Sequence, residues 1–171
     1  MRAFSARLLL AGGLALLGAG CTNYRLGTGA EPAFASVYIP PVSNPATVPQ
    51  AVALVTREVR LAFLRDGRVR LADSAADADA ILEITLQGYE RATTAVQAQD
   101  TALARKFDVT LTALCTLRRT DSGEVVFADR PVESTRQVFT DEGQLPAEYQ
   151  TLPNTAQLLA DRVVHAVLDV W

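Results

Sequence analysis

The sequence is poor in the residues on which catalytic and metal sites most often depend. Among 171 residues it contains one histidine and two cysteines, too few for the four-ligand zinc sites that rely on these side chains. No serine or threonine lies in a recognisable nucleophile motif. We therefore predict that the protein is not an enzyme and carries no metal or cofactor.

Positive charge and aromatic residues are also scarce. Sixteen basic residues face 19 acidic ones, 6% of the residues are aromatic, and Lys106 is the single lysine. A nucleic-acid-binding domain needs a basic surface with stacking side chains, so nucleic acid is not an expected partner. The apolar stretch of residues 8–17 is about half as long as the roughly 20 residues that a membrane-spanning helix needs.

The first twenty residues have the pattern of a cleaved export signal. Arg2 and Arg7 form a short basic region, residues 8–17 are apolar, and residues 18–20 are small. The segment resembles the bacterial lipobox, whose cysteine becomes the acylated first residue of the mature protein. We therefore predict a lipoprotein signal peptide at residues 1–20 and lipidation at Cys21. An ordinary secretory signal that happens to end near a cysteine is the alternative. The mature chain would have 151 residues, with 14 basic and 19 acidic side chains, which is the size of one domain.

Four further side chains are candidate site residues. Cys115 lies on the apolar side of an alternating strand, so we expect a buried thiol that packs as a small apolar group. His165 is expected on the surface of a helix, without a second histidine or cysteine to complete a metal site. Asp77 and Asp79 precede a strand, and a solvated turn is favoured there over a cation site.

Periodicity divides the rest of the chain into a tether and one folded domain. Residues 21–35 are predicted to form the lipidated tether and residues 36–171 the domain. Alternating apolar residues predict strands, and helical spacing predicts helices. The predicted strands are 36–39, 69–72, 80–91, 107–118 and 124–138, the helices are 49–66 and one that opens at 153–155, and the last loop is 140–154. Pro131 predicts that the last strand is bulged or lies at a sheet edge.

The order of these elements predicts an α+β fold. A strand, a helix and a second strand imply a right-handed crossover between parallel strands. We expect a two-layer sandwich, with βαβ followed by a β-meander and a C-terminal helix. Two helices would cover one face of a mixed four- to five-stranded sheet.

The other face of the meander is predicted to be polar, with little charge in its middle. Alternation places on it Thr85, Gln87, Thr110, Thr112 and Thr116. Arg91, Arg118 and Arg119 lie at strand ends and are expected to bracket this face. An ordinary solvated sheet face is one interpretation. The other is a face that contacts a polar wall or the sugars and phosphates of an amphiphile, with the arginines as anion contacts.

Several short motifs, taken in order, resemble the LPS-assembly lipoprotein LptE family. They are Tyr24-Arg25-Leu26-Gly27, Val37-Tyr38-Ile39-Pro40, Ala78-Asp79-Ala80 and Asp121-Ser122-Gly123-Glu124-Val125, followed by the closing helix. The resemblance implies a lipid-anchored protein on the periplasmic side of the outer membrane. Such a protein plugs the LPS-translocation barrel LptD, helps it fold and contacts lipopolysaccharide (LPS) in transit. No family motif fixes the LPS contacts, for which Arg91, Arg118 and Arg119 are our candidates.

A second interpretation has the same anchor and architecture. The chain would be a periplasm-facing lipoprotein that activates a peptidoglycan synthase or serves as an envelope scaffold, because a fold does not determine a function.

Overall fold

The computed structural model describes residues 32–44, 49–95, 106–139 and 144–169. All of them belong to one compact unit, Glu31–Trp171. The strands are β1 (Ser36–Tyr38), β2 (Arg70–Ala72), β3 (Ala80–Ala95), β4 (Lys106–Arg119) and β5 (Val125–Phe139), and the helices are α1 (Pro49–Asp66) and α2 (Gln144–Leu168). The predicted signal peptide, Cys21 and most of the predicted tether lie outside the described residues.

The described strands form one mixed sheet in the order β2-β1-β3-β4-β5. β1 is parallel to β2, as the βαβ order predicted, and it is also parallel to β3. β3, β4 and β5 are antiparallel neighbours and form the predicted meander. The α+β class and the mixed five-stranded sheet with its two helices are therefore confirmed.

One face of the sheet packs against both helices and forms the core. β4 contributes alternate side chains from Phe107 to Leu117, all at most 2% exposed. α1 contributes Val55, Val59 and Phe63, each fully buried, and α2 contributes Leu159 and Val163. Burying a side chain of this size stabilises the fold by about 1.5–3 kcal/mol, so the layer contact is the main source of stability. We call this side the helix-covered face.

The end of α1 is where the sequence predicted it. Gly67 follows the helix with a φ of 71°, and its N–H donates to the carbonyl oxygen of Phe63 at 3.1 Å. Glycine adopts this left-handed conformation without steric cost, which makes it the usual residue after a helix. The chain can then turn directly into β2.

The predicted start of α2 was wrong. The helix begins at Gln144 and includes Pro153, whereas the sequence predicted a loop at 140–154. Proline lacks the N–H that an internal helical residue donates, and for that reason it reads as a boundary. Here the helix continues through Pro153 because its later turns pack against the sheet, with Ala156, Leu159 and Ala160 fully buried.

β3 contains a bulge that the predicted alternation did not include. Leu86 pairs with Ala113 and Gly88 pairs with Thr112, so Gln87 has no partner in the ladder. One extra residue reverses the faces of everything after it. Tyr89 accordingly packs against the core, whereas unbroken alternation from Thr85 and Gln87 would place it on the opposite face.

β5 is an irregular edge strand, as Pro131 predicted. Its ladder with β4 is interrupted between Leu117 and Cys115. Asp129, inside the interruption, has a φ of 49°, a conformation that is uncommon for residues other than glycine. The irregular part of the edge is therefore poorly shaped for continuous pairing with another strand.

Candidate functional site

The second face of the sheet is a candidate binding surface because no described element packs over it. Cross-strand partners share a face, so the register fixes its rows of side chains. Thr112 of β4 lies beside Gly88 and Glu133, and Thr110 lies beside Glu90 and Thr135. The predicted threonines Thr85, Thr110, Thr112 and Thr116 are all on this side and half-buried. We call it the open face.

The end of the open face nearest the β4–β5 turn is partly apolar. Ile81, Arg118 and Val125 lie side by side across β3, β4 and β5. The next row contains Glu83 and Thr116, and the row after it contains Thr85, Leu114 and Pro131. This end therefore combines one exposed guanidinium and one carboxylate with apolar side chains.

The expectation of little charge in the middle of the open face was wrong. Four carboxylates stand on its β3–β5 part, those of Glu83, Glu90, Asp108 and Glu133. Within the described part of the chain none of the four forms an ion pair, and Asp108 accepts a 3.3 Å hydrogen bond from the amide of Gln137. The ladder places two cations on the same part, Arg118 and Lys106, one at each end. The face is therefore acidic between its ends.

The three candidate arginines do not form one cluster. Arg118 is exposed on the open face, opposite Ile81. Arg119 pairs with Ala80 and Arg91 pairs with Val109, so both belong to the helix-covered face in register. Ten residues of β3 separate Ile81 from Arg91, or roughly 33 Å. The expectation that all three bracket the open face was wrong, because the bulge at Gln87 moves Arg91 to the other side.

Arg119 holds the chain segment that enters β1. Its Nε and Nη2 donate to the carboxylate of Asp121 at 3.0 and 2.8 Å, and its Nη1 donates to the carbonyl oxygen of Ala33 at 3.0 Å. The bond to Asp121 raises the pKa of the guanidinium and lowers that of the carboxyl. Three donor atoms of Arg119 are thus used within the protein.

Asp79 completes this junction from the start of β3. One carboxylate oxygen accepts hydrogen bonds from the Ser36 hydroxyl at 2.9 Å and from the backbone N–H groups of Ala35 and Ser36 at 3.0 and 2.8 Å. The Ser36 hydroxyl and the Ala35 N–H lower the pKa of Asp79. Together with the burial of Phe34, these contacts include residues 33–35 in the packed domain. We call Asp79, Arg119 and Ser36 the entry clasp.

Asp77 has a different role from Asp79. It lies exposed in a short 3₁₀ turn (Ala75–Asp77) and accepts a 2.7 Å hydrogen bond from the Ser74 hydroxyl. Among the described residues no three His, Cys, Asp or Glu side chains lie close enough to hold a metal ion. The carboxylates of Asp77 and Asp79 thus accept hydrogen bonds from nearby groups of the protein.

Cys115 and His165 lie where the sequence predicted. Cys115 is fully buried, and burial raises the pKa of its thiol to about 12. His165 is exposed on α2, with its Nδ1 2.7 Å from a carboxylate oxygen of Asp169. It borders a shallow groove of about 300 Å³ between α1 and α2, across which Arg65 and Asp161 form a 3.1 Å ion pair. In the part of the chain that the structure describes, no helix is long and apolar enough to cross a membrane.

A family model bears on the two interpretations of the sequence. The model described as LptE, lipopolysaccharide-assembly, matches residues 34–167. The chain belongs to the LptE family. Membership supports a role in LPS assembly and favours it over activation of a peptidoglycan synthase. None of the curated proteins matches the chain.

Solved structures show the same fold at low sequence identity. Lipoprotein B from Nitrosomonas europaea has a TM-score of 0.52 and 16% identity, over 85% of this chain and 92% of that one. A protein from Xanthomonas campestris assigned to the DUF330 family has a TM-score of 0.59 and 14% identity, over 81% and 85%. A hypothetical protein from Chlamydia trachomatis reaches 0.56 at 9% identity, over 79% and 96%. At these identities the likeness concerns the fold alone.

Proposed function

We propose that the chain is an outer-membrane lipoprotein, acylated at Cys21 and facing the periplasm, that plugs the LPS-translocation barrel LptD and assists its assembly. On this proposal it is not an enzyme and contacts LPS on the way to the outer leaflet. The family match over residues 34–167 carries the proposal. The open face supports it, because an uncovered sheet face of threonines and carboxylates suits contact with a polar wall.

In this proposal, acyl chains on Cys21 hold the protein at the membrane, rather than a membrane-spanning segment. One acyl chain gives marginal membrane binding, whereas two or more hold a protein stably. We expect Cys21→Ser behind an efficient secretory signal to retain partial function, since docking with the barrel would supply the remaining affinity. Full loss of function in this variant, with normal export and folding, would show that the anchor does more than raise local concentration.

Co-purification tests the partner directly. The acylated chain, extracted in mild detergent, should bring down a large β-barrel, and its depletion should reduce surface LPS. A chain recovered alone, under conditions that preserve other envelope complexes, would contradict the proposal. Recovery with a peptidoglycan synthase instead would support the alternative function.

Among the candidate arginines we expect Arg118 to contribute most to LPS contact. It is exposed on the open face, whereas the guanidinium of Arg119 is bound to Asp121 and to Ala33. Arg118→Ala should therefore weaken LPS binding more than Arg119→Ala or Arg91→Ala. If alanine at all three positions leaves LPS binding unchanged, the contact lies elsewhere.

A further inference from the structure

The part of the open face farthest from the β4–β5 turn is acidic. Glu90, Asp108 and Glu133 come from three adjacent strands, and Thr110 and Thr112 lie between them. Glu90 and Glu133 are exposed and Asp108 is half-buried. We call these five residues the acidic half.

The spacing of the three carboxylates makes their fields add. Strands lie about 5 Å apart and residues on one face repeat about every 7 Å along a strand. The register therefore places the three groups roughly 8 to 14 Å from one another, which is comparable with the Debye length of about 8 Å at physiological salt. Lys106 is the one cation that the ladder places beside them, at the end of β4, where it also lies over the Phe139 ring. The centre of the acidic half therefore carries a net negative charge.

The negative charge of the acidic half limits which molecules can bind to the open face. A membrane surface or an LPS headgroup is anionic and would be repelled by the acidic half. An apolar protein wall would remove water from three carboxylates without replacing its hydrogen bonds, which is unfavourable, and a neutral polar wall would supply donors but no opposite charge. A wall that carries lysine or arginine supplies both the charge and the hydrogen-bond donors.

We propose that the acidic half docks against a basic protein wall. From Thr112 to Asp108 the acidic half measures roughly 14 Å by 14 Å on three strands, so its flat area is about 200 Å². A standard interface buries about 800 Å² per partner, so the acidic half would form about a quarter of one. The inference rests on the proposed function for the identity of the wall, which is then the inner surface of the barrel.

The experiment compares two probe positions and two sets of variants in the full acylated chain in cells. A photo-crosslinking residue replaces Thr112 on the open face or Gln157, which is exposed on α2. The test set is Glu90→Gln, Asp108→Asn and Glu133→Gln. The control set is Asp73→Asn, Asp77→Asn and Asp161→Asn, which changes the net charge equally away from the open face. Circular dichroism checks that both sets fold, and Glu133→Lys alone replaces the test set if it does not.

The probe at Thr112 should crosslink to a protein segment that contains lysine or arginine. The test set should reduce this crosslink at least about tenfold at low ionic strength, with a smaller loss at high salt, because complementary charge acts largely on association. The control set should stay within about twofold of the wild type.

Each other outcome overturns either this inference or the proposed function. Crosslinks from Thr112 to LPS or lipid alone, no crosslink to protein at all, or equal losses in both sets would overturn the basic-wall inference. A barrel captured through Gln157 but not Thr112 would do the same and leave the proposed function standing. If Thr112 crosslinks to a basic segment of a protein that is not a β-barrel, the open face is still a docking surface but the plug function is refuted.

Discussion

Deletion of Gln87 should leave the fold nearly intact, which is unusual for a deletion inside a sheet. Gln87 has no ladder partner, because Leu86 pairs with Ala113 and Gly88 with Thr112. Removing it joins Leu86 to Gly88 in a regular strand, and every later side chain keeps its face. We expect the free energy of unfolding to fall by less than about 1 kcal/mol, as for changes outside packed contacts.

Deletion of Thr85, two residues earlier, is the matched control with the opposite expectation. The bulge would absorb the deletion, but Leu86 would move to the open face and Gln87 would take its place in the core. Leu86 is 2% exposed, and losing its burial costs about 1.5–3 kcal/mol. Burying the unpaired amide of Gln87 adds about 1–3 kcal/mol. The total loss should be about 2.5–6 kcal/mol.

Urea unfolding of the two deletion variants measures this difference. With a slope of about 2 kcal/mol per molar urea, the Thr85 deletion should lower the midpoint by at least about 0.75 M relative to the Gln87 deletion. Equal losses in the two variants would refute the bulge, and with it the assignment of Arg91 to the helix-covered face. The mature chain with Cys21→Ser is suited to the assay, because it needs no detergent.

Three further predictions concern the clasp, the thiol and the edge strand. Asp79→Ala should accelerate hydrogen exchange at the backbone N–H groups of Ala35 and Ser36, which donate to its carboxylate, whereas Asp77→Ala should not. The folded pKa of Asp79 is lowered, so its ionised carboxylate stabilises the fold above the unfolded pKa of about 4, and this stabilisation is lost as pH falls through the folded pKa. Asp79→Asn should therefore make the free energy of unfolding depend less on pH in that range. Cys115, with its pKa raised to about 12, should resist alkylation at pH 8 until the protein is unfolded in urea, and reaction in the native state would contradict its burial. Arg130 stacks 3.9 Å from the Phe127 ring centroid and donates to a carbonyl oxygen near the end of α2 at 2.6 Å. Arg130→Ala should therefore lower the free energy of unfolding by about 1–2 kcal/mol in the same urea assay. As a control, Arg136→Ala, at an exposed position, should lower it by less than about 0.5 kcal/mol.

The layers were predictable from sequence because they depend on periodic apolar residues. The alternation from Phe107 to Leu117 gave β4 within two residues at each end. The beginning of α2 was not predictable, because Pro153 has the same local signal whether it starts a helix or lies within one, and only packing further along the helix decides.

The candidate site was predictable only in part, because a face assignment depends on every residue before it. The threonines near the centre of β4 were placed correctly, since β4 alternates without interruption between its central residues. Gly88 was a usable sign of the bulge, because an isolated glycine inside a strand often marks one. The role of Arg119 had no sequence signal, since Ala33 is 86 residues away along the chain.

The open face has two parts with different chemistry. With Arg119 engaged in the entry clasp and Arg91 in register with the core side, Arg118 is the candidate arginine that stands on the open face, at its apolar end. An anionic amphiphile would therefore meet Arg118 at that end, with Glu83 one row away, and repulsion from Glu90 and Glu133 beyond it. If LPS and a basic protein wall both contact this face, the charge pattern requires them to occupy opposite ends. Arg118→Ala should then reduce LPS contact without affecting the crosslink from Thr112, and neutralising the acidic half should do the reverse. Loss of both contacts in either variant would show that the two ends do not act separately.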